Sequence, residues 1–485
     1  MRSQQLQLLR RPWWRWPVAT AAMPMAATMM VLLSMPTAAH ARVHHLFAAN
    51  RSPPPRLYAL AFDDDGDDGA GAIAVTAQLA ADTTHARLAL DAARDNVYGV
   101  SLDKAAVASY EVVVTNTTTN NVEEEVGEDG VVDGMGRTKT TETTNVTLAF
   151  RKSVVAAGAC VNRTAAFVLP HPRFARVYTA SWRGADAGAC GMALSTTTTD
   201  TSTNNDSSSS ILPAAANDGN GKGKGKGGGV LEEVVQSWRY DERYVSGRIA
   251  GMALDPMGFT IYSADLDGGG AVGAFGFAGW DGADQDSGGA QRQGQQRRPP
   301  QGPRHLVVHP NGRVLYVVME TANAVAAYRL DGATGLPVAE ISRRSLLPEG
   351  VDPAQYRGAE VVLSLPSSPD GDTMPKYLWA AAAGDNSTEG GFISVFGLDR
   401  ETGNIEEQPL FRAATTMRTN AIAPAPWSED WAAVADAGTG SVEIWHIEET
   451  TTQNDDNVTA TATMKSVARV NLPEAGCCGN VIWYD

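Results

Sequence analysis

The chain has 485 residues, of which 43% are hydrophobic, and a formal net charge of −16 from 39 basic and 55 acidic side chains. The hydrophobic content is sufficient for a large core, which excludes a wholly disordered protein. Such an acidic chain is poorly suited to nucleic acid or to an anionic membrane surface, but a locally basic pocket for a small anion is compatible with it. At about 150 residues per domain the length suggests roughly three domains, although all-β folds often exceed 200 residues as one unit.

The N-terminus has the pattern of a secretory signal peptide. Four arginines within the first fifteen residues precede an apolar run from Met23 to Met35, and a small-x-small cleavage pattern ends at Ala41. A membrane anchor is disfavoured, because the run is short for a bilayer and contains Pro24. No later segment is apolar enough to span a membrane. We therefore expect cleavage near Ala41 and a secreted, extracellular protein that comprises residues 42–485.

In a secreted protein the N-x-S/T sequons are candidate attachment sites for glycans. These glycosylation candidates begin at Asn116, Asn145, Asn162, Asn205, Asn386 and Asn457. Most of them lie in stretches rich in Thr or Ser, where a surface glycan is readily accommodated. We expect several of them to be occupied.

The four cysteines are candidates for disulfides, which secretion permits. Cys160 and Cys190 flank one apolar segment, so they are candidates to pair with each other. Cys477 and Cys478 are adjacent, so either they form a vicinal disulfide or one of them bonds elsewhere. The sequence leaves this connectivity open.

One sequence pattern recurs along the chain: a short apolar strand, a turn rich in Pro, Asp and Gly, and a second apolar strand that often carries tyrosine. Its copies begin near residues 88, 166, 252, 306, 361 and 420. The later copies are about 54 to 59 residues apart, which is close to the longer periods of propeller blades and disfavours a β-sandwich. We predict an all-β propeller that forms a single domain.

Low-complexity stretches lie between several of these copies. Residues 116–147 are rich in Thr, residues 195–229 in Ser, Asn, Gly and Lys, and residues 284–303 in polar side chains. Such segments bury little apolar area, so we expect three mobile loop inserts.

A seventh copy is split between the two ends of the chain. Asn480–Trp483 resembles the first strand that begins at Asn420, and His45–Ala49 resembles a second strand without its first. Pairing of the two segments would remove a free sheet edge and close the ring. The sequence therefore predicts a seven-bladed β-propeller in which N-terminal and C-terminal strands close one blade.

Ligands of a propeller bind near the central channel, and residues that precede a first strand or follow a second strand lie near a channel mouth. Arg304 and Glu320 flank one predicted hairpin in this way. Two interpretations of this pair stay open: an anion clamp with a carboxylate acid or base, and an ion pair that braces the channel. Arg357 and Arg418 precede first strands as well and would add positive potential. His309 lies in a His-Pro-Asn-Gly turn, where a structural role is favoured.

Several segments carry a resemblance to a known family. Residues 303–320, which contain the His-Pro-Asn-Gly turn, are similar to the lactonase-type seven-bladed propellers. Three further segments are similar to a narrower group, the fungal 3-carboxy-cis,cis-muconate lactonizing enzymes, also called carboxymuconate cyclases. These segments are residues 251–265, 420–431 and 476–485. The resemblance covers nearly the whole mature chain apart from the inserts.

The resemblance implies an enzyme that adds a carboxylate oxygen across a double bond of its own substrate to give a lactone. It implies a cationic channel for several carboxylates, with the family's Arg at Arg304 and its Glu at Glu320. The His expected before Gly251 is Ala250, and an expected Arg falls on Ala383. Loss of a His removes an acid or base, and loss of an Arg removes a bidentate carboxylate donor.

Two functional hypotheses follow. In the first, the protein is a lactonase-like or cycloisomerase enzyme for a small carboxylated substrate or lactone, and no metal or organic cofactor is implied. Arg304 holds a carboxylate, Glu320 orients Arg304 or moves a proton, and Arg248, Arg357 and Arg418 contribute to substrate binding. In the second, the chemistry has decayed, and the propeller binds small carboxylates or another partner without turnover. The sequence does not define the oligomeric state.

Overall fold

The computed structural model describes most of the chain from residue 42 onward. The described ranges are 42–64, 71–123, 137–183, 189–197, 228–240, 248–266, 272–276, 302–366, 373–385, 390–415, 421–436, 438–454, 457–473 and 477–485. The predicted signal peptide lies outside them. Within these ranges, no helix is long and apolar enough to cross a membrane.

The described secondary structure consists of β-strands and two short 3₁₀ turns, Gly158–Cys160 and Pro353–Gln355. The strands of the first half are β1 (Val43–Asn50), β2 (Arg56–Asp63), β3 (Ala72–Ala80), β4 (Arg87–Leu90), β5 (Asn96–Val100), β6 (Ala106–Glu123), β7 (Arg137–Val155), β8 (Thr164–Pro170), β9 (Arg176–Arg183), β10 (Cys190–Thr196), β11 (Leu231–Arg239), β12 (Ile249–Leu254), β13 (Thr260–Asp265) and β14 (Val272–Gly276). Those of the second half are β15 (Pro303–Val308), β16 (Val314–Met319), β17 (Ala324–Leu330), β18 (Pro337–Ser345), β19 (Tyr356–Leu363), β20 (Tyr377–Gly384), β21 (Phe392–Gly397), β22 (Phe411–Ala414), β23 (Ala421–Pro424), β24 (Trp431–Asp436), β25 (Ser441–Asn454), β26 (Asn457–Asn471) and β27 (Cys477–Trp483).

The strands form seven antiparallel sheets, which we call blades A to G. Blade A has the strand order β27-β1-β2-β3, and blades B and C contain β4–β7 and β8–β11. Blade D contains β12–β14 among the described residues, and blades E, F and G contain β15–β18, β19–β22 and β23–β26. The six complete sequence copies start at the first strands of blades B to G, which confirms the predicted propeller.

Burial along each blade explains which residues form which strand. The second strand of blade F, β20, is buried at all eight positions, because neighbouring blades cover both of its faces. The fourth strand of blade A, β3, alternates between exposed and half-buried residues, as expected at the rim. Continuous apolar runs therefore become second strands, and alternating sequences become outer strands.

Seven apolar clusters fill the seven interfaces between adjacent blades. The cluster between blades G and A contains Leu46 and Tyr58 of blade A together with Ile444 of blade G. The cluster between blades A and B contains Phe47 and Leu57 of blade A together with Tyr110 of blade B. Successive residues of β1 thus face opposite neighbours, so both faces of the sheet contribute to the core.

The terminal strands β1 and β27 pair within blade A. Leu46, Phe47 and Ala48 lie opposite Trp483, Ile482 and Val481 in an antiparallel register. β27 occupies the innermost position, which first strands occupy in the other blades. The last strand of the chain therefore supplies the channel-lining strand of the first blade.

The expectation of a loop over residues 116–147 is wrong for most of that segment. Residues 116–123 belong to β6 and residues 137–147 belong to β7, and the two strands pair as one long ribbon. Threonine is β-branched and favours extended backbone, so a Thr-rich segment needs no apolar core to continue a hairpin. Residues 124–136, most of 195–229 and most of 284–303 lie outside the described residues.

The sequons fall on different parts of this fold. Asn116 and Asn145 are exposed on the long ribbon, where Asn116 lies opposite Thr144 and Asn145 opposite Thr115. Asn162 is exposed in a turn with φ of 59°. Asn457 begins β26, its side chain lies outside the described part, and Asn205 and Asn386 lie outside it entirely. Glycosylation at these positions stays a prediction.

Cys160 and Cys190 form a disulfide with a Cα–Cα distance of 5.6 Å, which confirms the predicted pair. Both residues are buried, and the bond joins the turn that enters blade C to the third strand of that blade. The side chains of Cys477 and Cys478 lie outside the described residues, so their state stays open.

Loss of this disulfide is expected to destabilise the protein measurably. The bond closes a loop with a sequence separation of 30 residues, for which chain entropy predicts about 3–4 kcal/mol. We expect the Cys160→Ser, Cys190→Ser double variant to lose about 2–4 kcal/mol in urea unfolding. Without reductant, the double variant should have the same free energy of unfolding as the wild type in the presence of reductant. A double variant as stable as the oxidised wild type would contradict this role.

Candidate active site at the channel mouth

Two adjoining cavities lie along the first strands of the blades, and Arg87, His305 and Glu360 line both of them. We call the first of them the mouth pocket, and its empty space, including the part that is open to solvent, is about 510 Å³. Most of the residues that line it lie in or next to first strands. The lining residues are Arg51, Ala86, Arg87, Leu102, Ala166, Ala250, Arg304, His305, Ala359, Glu360 and Gly479. The second cavity is mainly apolar and is lined by residues from the first strands of all seven blades, and its empty space, including open solvent, is about 1090 Å³.

Small residues keep the mouth pocket open. Alanine or glycine lines it from blades A, B, C, D and F. Gly251 also allows close packing of blades D and E, since a Cβ there would lie 2.6 Å from the carbonyl oxygen of Arg304. The strand that carries Arg304 therefore approaches its neighbour closely.

Arg304 and Glu320 form an ion pair at this mouth. The distance from Nη1 of Arg304 to Oε2 of Glu320 is 2.6 Å, and the side chains are 30% and 20% exposed. Arg304 lies in β15 and Glu320 directly follows β16, which pairs with β15. The structure thus brings together the two residues that the hairpin predicted. Because both remain partly exposed, a ligand in the pocket can reach the pair.

A second ion pair crosses the channel beneath this site. Arg87 of blade B donates to both carboxylate oxygens of Glu360 in blade F, at 3.2 and 2.7 Å. Nη2 of Arg87 also donates to Nε2 of His305 in blade E, at 2.9 Å. The guanidinium lies over the ring of Phe167 in blade C, 4.4 Å from its centroid. These contacts join four of the seven blades at the boundary between the two cavities.

The protonation states in this group follow from its geometry. Nδ1 of His305 lies 3.0 Å from the carbonyl oxygen of Val361, so it carries the proton, and Nε2 is free to accept from Arg87. Burial lowers the pKa of His305 to about 4, which keeps the ring neutral at pH 7. Burial alone would raise the pKa of Glu360, but the Arg87 charge reverses this and holds that pKa below its ordinary value.

Arg51 is the third guanidinium of the mouth pocket. It follows β1 and enters from blade A. Burial, and then the positive charge of Arg304, lower the pKa of Arg51 from its ordinary value. Three guanidinium groups and the Glu360 carboxylate line the pocket, and the Glu320 carboxylate adjoins it through Arg304. Three positive and two negative charges leave an excess of positive charge within a protein of net charge −16.

The other arginines predicted to bind substrate do not line this pocket in the described structure. Arg357 forms an ion pair with Asp385 at 3.2 Å, and Arg248 lies before β12. Arg418 lies outside the described residues. Ala250 does line the pocket, whereas Ala383 is buried opposite Arg357 in blade F. The binding roles proposed for the three arginines stay predictions.

The sequence analysis missed Arg51, Arg87 and Glu360. The rule that selected Arg304 and Glu320 also fits Arg51, which follows a predicted second strand, and Arg87, which precedes a predicted first strand. Applied to every blade, it would have selected both. Glu360 directly precedes the copy that begins near residue 361, so the rule fits it as well, although the observed strand β19 begins four residues earlier.

A metal site is not evident near this chemistry. Across the part of the chain that the structure describes, no group of three or more His, Cys, Asp or Glu side chains is arranged to hold a metal ion. The ionisable side chains that line the mouth pocket are those of Arg51, Arg87, Arg304, His305 and Glu360.

Comparison with known proteins agrees with the propeller fold. Residues 252–468 match the sequence model of the family described as "Lactonase, 7-bladed beta-propeller". The chain is 32% identical over 267 residues to the carboxy-cis,cis-muconate cyclase of Neurospora crassa, which covers 53% of this chain and 64% of that protein. It is 30% identical over 132 residues to muconate cycloisomerase 1 of Cutaneotrichosporon cutaneum, which covers 27% of this chain and 33% of that protein.

Over residues 252–468 the chain is similar to the lactonase-type propellers, and about half of it is similar in sequence to a carboxymuconate cyclase. The match spans less than two thirds of the length of either relative. Among solved structures, the propeller is similar to a Lactobacillus plantarum protein with a TM-score of 0.55 at 16% identity, covering 91% of this chain and 99% of that one. A Bacteroides fragilis protein provisionally named a 6-phosphogluconolactonase gives 0.53 at 16% identity, covering 88% and 97%. At these identities the structural similarity establishes the fold alone.

Proposed function

We propose that this lactonase-type propeller closes or opens a lactone ring in a small carboxylated substrate at the mouth pocket. The observation that carries the proposal is the Arg304–Glu320 pair, which is partly exposed in a pocket with an excess of guanidinium groups. A cationic pocket in an acidic protein favours an anionic substrate. The similarity to a carboxymuconate cyclase supports the same class of reaction.

Arg304 binds a substrate carboxylate that is conjugated to the reacting double bond. When another carboxylate oxygen forms the new C–O bond, the electron pair of the double bond moves toward the carboxylate on Arg304. The guanidinium stabilises this developing charge. A proton then bonds to the α carbon, which completes the lactone. Ring opening reverses these steps, with removal of the α proton and cleavage of the C–O bond.

Glu320 has two roles in this scheme. Its carboxylate accepts from Nη1 of Arg304 and so fixes the orientation of the guanidinium. In the ring-opening direction it takes the α proton as a general base, and in the closing direction it returns that proton. Because Arg304 and Glu320 act on the same substrate, their loss is expected to have non-additive effects.

We also infer that the protein acts outside the cell. The signal-peptide pattern supports this inference, as does the Cys160–Cys190 disulfide, since disulfides persist in oxidising compartments. N-terminal sequencing of the protein from culture medium should find a mature chain that begins near Arg42. Retention of the full leader on intracellular protein would contradict export.

Removal of either partner of the Arg304–Glu320 pair is expected to reduce kcat/KM by about 100-fold or more. The variants are Arg304→Gln and Glu320→Gln, assayed with carboxymuconate, its lactone and simple sugar lactones. Arg343 and Glu340 form an ion pair of the same types on β18, with Nε–Oε1 at 2.8 Å. The matched variants Arg343→Gln and Glu340→Gln should keep wild-type rates. Activity unchanged in both Arg304→Gln and Glu320→Gln would reject the assignment.

One observation favours binding without turnover as a second function. Ala250 lines the pocket at the position where the family resemblance places a histidine, so an acid or base is missing there. Calorimetry with dicarboxylates and tricarboxylates separates the two functions. Tight binding with no product in any assay supports the binding module, and measurable turnover rejects it.

A further inference from the structure

The three guanidinium groups of the mouth pocket differ in their partners. Arg87 is neutralised by Glu360, with which it shares two hydrogen bonds, and Arg304 is neutralised by Glu320. Among the described residues, no carboxylate forms an ion pair with Arg51. The excess positive charge of the pocket therefore resides mainly at Arg51.

The surroundings of the Arg51 guanidinium are unfavourable for a positive charge. The side chain is partly buried and lies near the charge of Arg304, and both effects lower its pKa. A guanidinium nonetheless remains protonated in proteins. An anion bound beside Arg51 would relieve both the lost hydration and the repulsion from Arg304.

The loop that carries Arg51 is fixed by the preceding residue. The buried Asn50 side chain donates to the carbonyl oxygens of Ser52, at 2.7 Å, and of Pro54. Its Oδ1 accepts from the backbone N–H of Arg56 at 2.7 Å, and its carbonyl accepts from the N–H of His85 at 3.0 Å. Both ends of the loop are thus tied to one buried residue, so the backbone at Arg51 is fixed by the protein itself.

We propose that Arg51 is a specificity-determining residue that binds a substrate carboxylate other than the one held by Arg304. This inference rests on the proposed function for the reacting end of the substrate. The ligand then spans the mouth from blade A to blade E, with one carboxylate at Arg51 and another at the Arg304–Glu320 pair. An acid with a single carboxylate satisfies only one of these sites, so the pocket selects acids with two or more.

The test is calorimetric titration of the full secreted chain with tricarballylate, a simple tricarboxylate, and with butyrate as the monocarboxylate. Charge-assisted contacts are worth about 1.5–3 kcal/mol, so we expect Arg51→Gln to bind tricarballylate about 10- to 100-fold more weakly. Arg51→Lys keeps the charge but loses the bidentate geometry, so it should bind with intermediate affinity. The weaker binding of butyrate should change much less.

The matched control is Arg329→Gln, which removes one positive charge from an exposed position on β17. It should bind tricarballylate with wild-type affinity. Equal affinities of Arg51→Gln and wild type would overturn the proposal. Equal weakening by Arg51→Gln and Arg329→Gln would overturn it too, because the effect would then be that of net charge alone. Unchanged thermal midpoints for all variants would show that the fold is intact.

This experiment distinguishes failure of the Arg51 proposal from failure of the proposed function. If no lactone chemistry is found but Arg51→Gln still weakens tricarballylate binding, the anion site stands and the catalytic proposal falls. If turnover depends on Arg304 and Glu320 but Arg51→Gln leaves tricarballylate binding unchanged, the catalytic proposal stands and the anion site at Arg51 falls. Where a substrate is found, Arg51→Gln should raise KM by a larger factor than it lowers kcat, because Arg51 contacts a part of the substrate that does not react.

Discussion

Replacement of Trp483 by alanine is expected to lower the free energy of unfolding by about 3–5 kcal/mol, because it empties a buried site at the junction of the ring. Trp483 packs in the cluster between blades G and A, and its Nε1–H donates to the carbonyl oxygen of Ala423 at 2.8 Å. Deletion of residues 477–485 should have a larger effect and prevent cooperative folding, since it removes the innermost strand of blade A.

Asn480 links the same strand to blade B. Its side chain accepts from the N–H of Leu88 at 2.8 Å and donates to the carbonyl oxygen of Leu88 at 2.9 Å. β27 therefore contacts the blades on both sides through specific side-chain hydrogen bonds. Asn480→Ala should lose about 1–3 kcal/mol, because two buried backbone groups lose their partner.

Urea unfolding and the thermal midpoint measure these effects. Phe150→Ala is the control, because it removes an aromatic side chain that is 50% exposed on β7, and it should cost less than about 1 kcal/mol. A deletion variant with the midpoint of the full chain would falsify the pairing of the terminal strands. It would show that residues 477–485 behave as an ordinary exposed tail.

Disruption of the Arg87–Glu360 pair is expected to destabilise the protein by about 3–5 kcal/mol, since the remaining partner would be buried without its counter-charge. Glu360 is 5% exposed and Arg87 is 20% exposed. The single variants are Glu360→Leu and Arg87→Met. The double variant should be more stable than either single variant, because no uncompensated charge remains in the channel.

A double-mutant cycle from urea unfolding isolates this coupling. The outer pair of Arg343 and Glu340 provides the control, and a coupling of about 1 kcal/mol or less is expected there because water screens it. Additive effects of Arg87→Met and Glu360→Leu would show that the two side chains do not stabilise the ring together.

The same group predicts how stability varies with pH. The pKa of His305 is about 4 in the folded protein, against an ordinary value of 6.5. Below about pH 6.5 the unfolded chain therefore binds a proton that the folded protein binds only near pH 4. This contribution to stability is complete above pH 6.5 and is lost as the pH falls toward 4. The depressed pKa of Glu360 extends the loss to lower pH.

The repeat predicted the blades because its spacing encodes local structure. Each copy contains two strands and a tight turn, and these depend on residues within about fifteen positions of one another. The positions of Arg304 and Glu320 follow from one such hairpin. The first strand of a copy becomes the channel wall because it is the innermost strand of its blade.

The Thr-rich ribbon was predicted wrongly because the argument considered burial alone. Paired backbone hydrogen bonds and β-branched side chains extend β6 and β7 well past the apolar part of their blade. A low-complexity composition therefore excludes a core but does not exclude a hairpin.

By itself, the sequence determined the propeller, the split seventh blade as a hypothesis, the Cys160–Cys190 pair as a candidate, and one hairpin of the site. Only the tertiary structure decided that Arg87, His305 and Glu360 meet, because His305 and Glu360 lie 218 and 273 residues from Arg87 along the chain. It also decided that Arg51 shares a pocket with Arg304. The physical reason is ring closure, which brings opposite blades together across a channel, whereas sequence patterns report only neighbours within a blade.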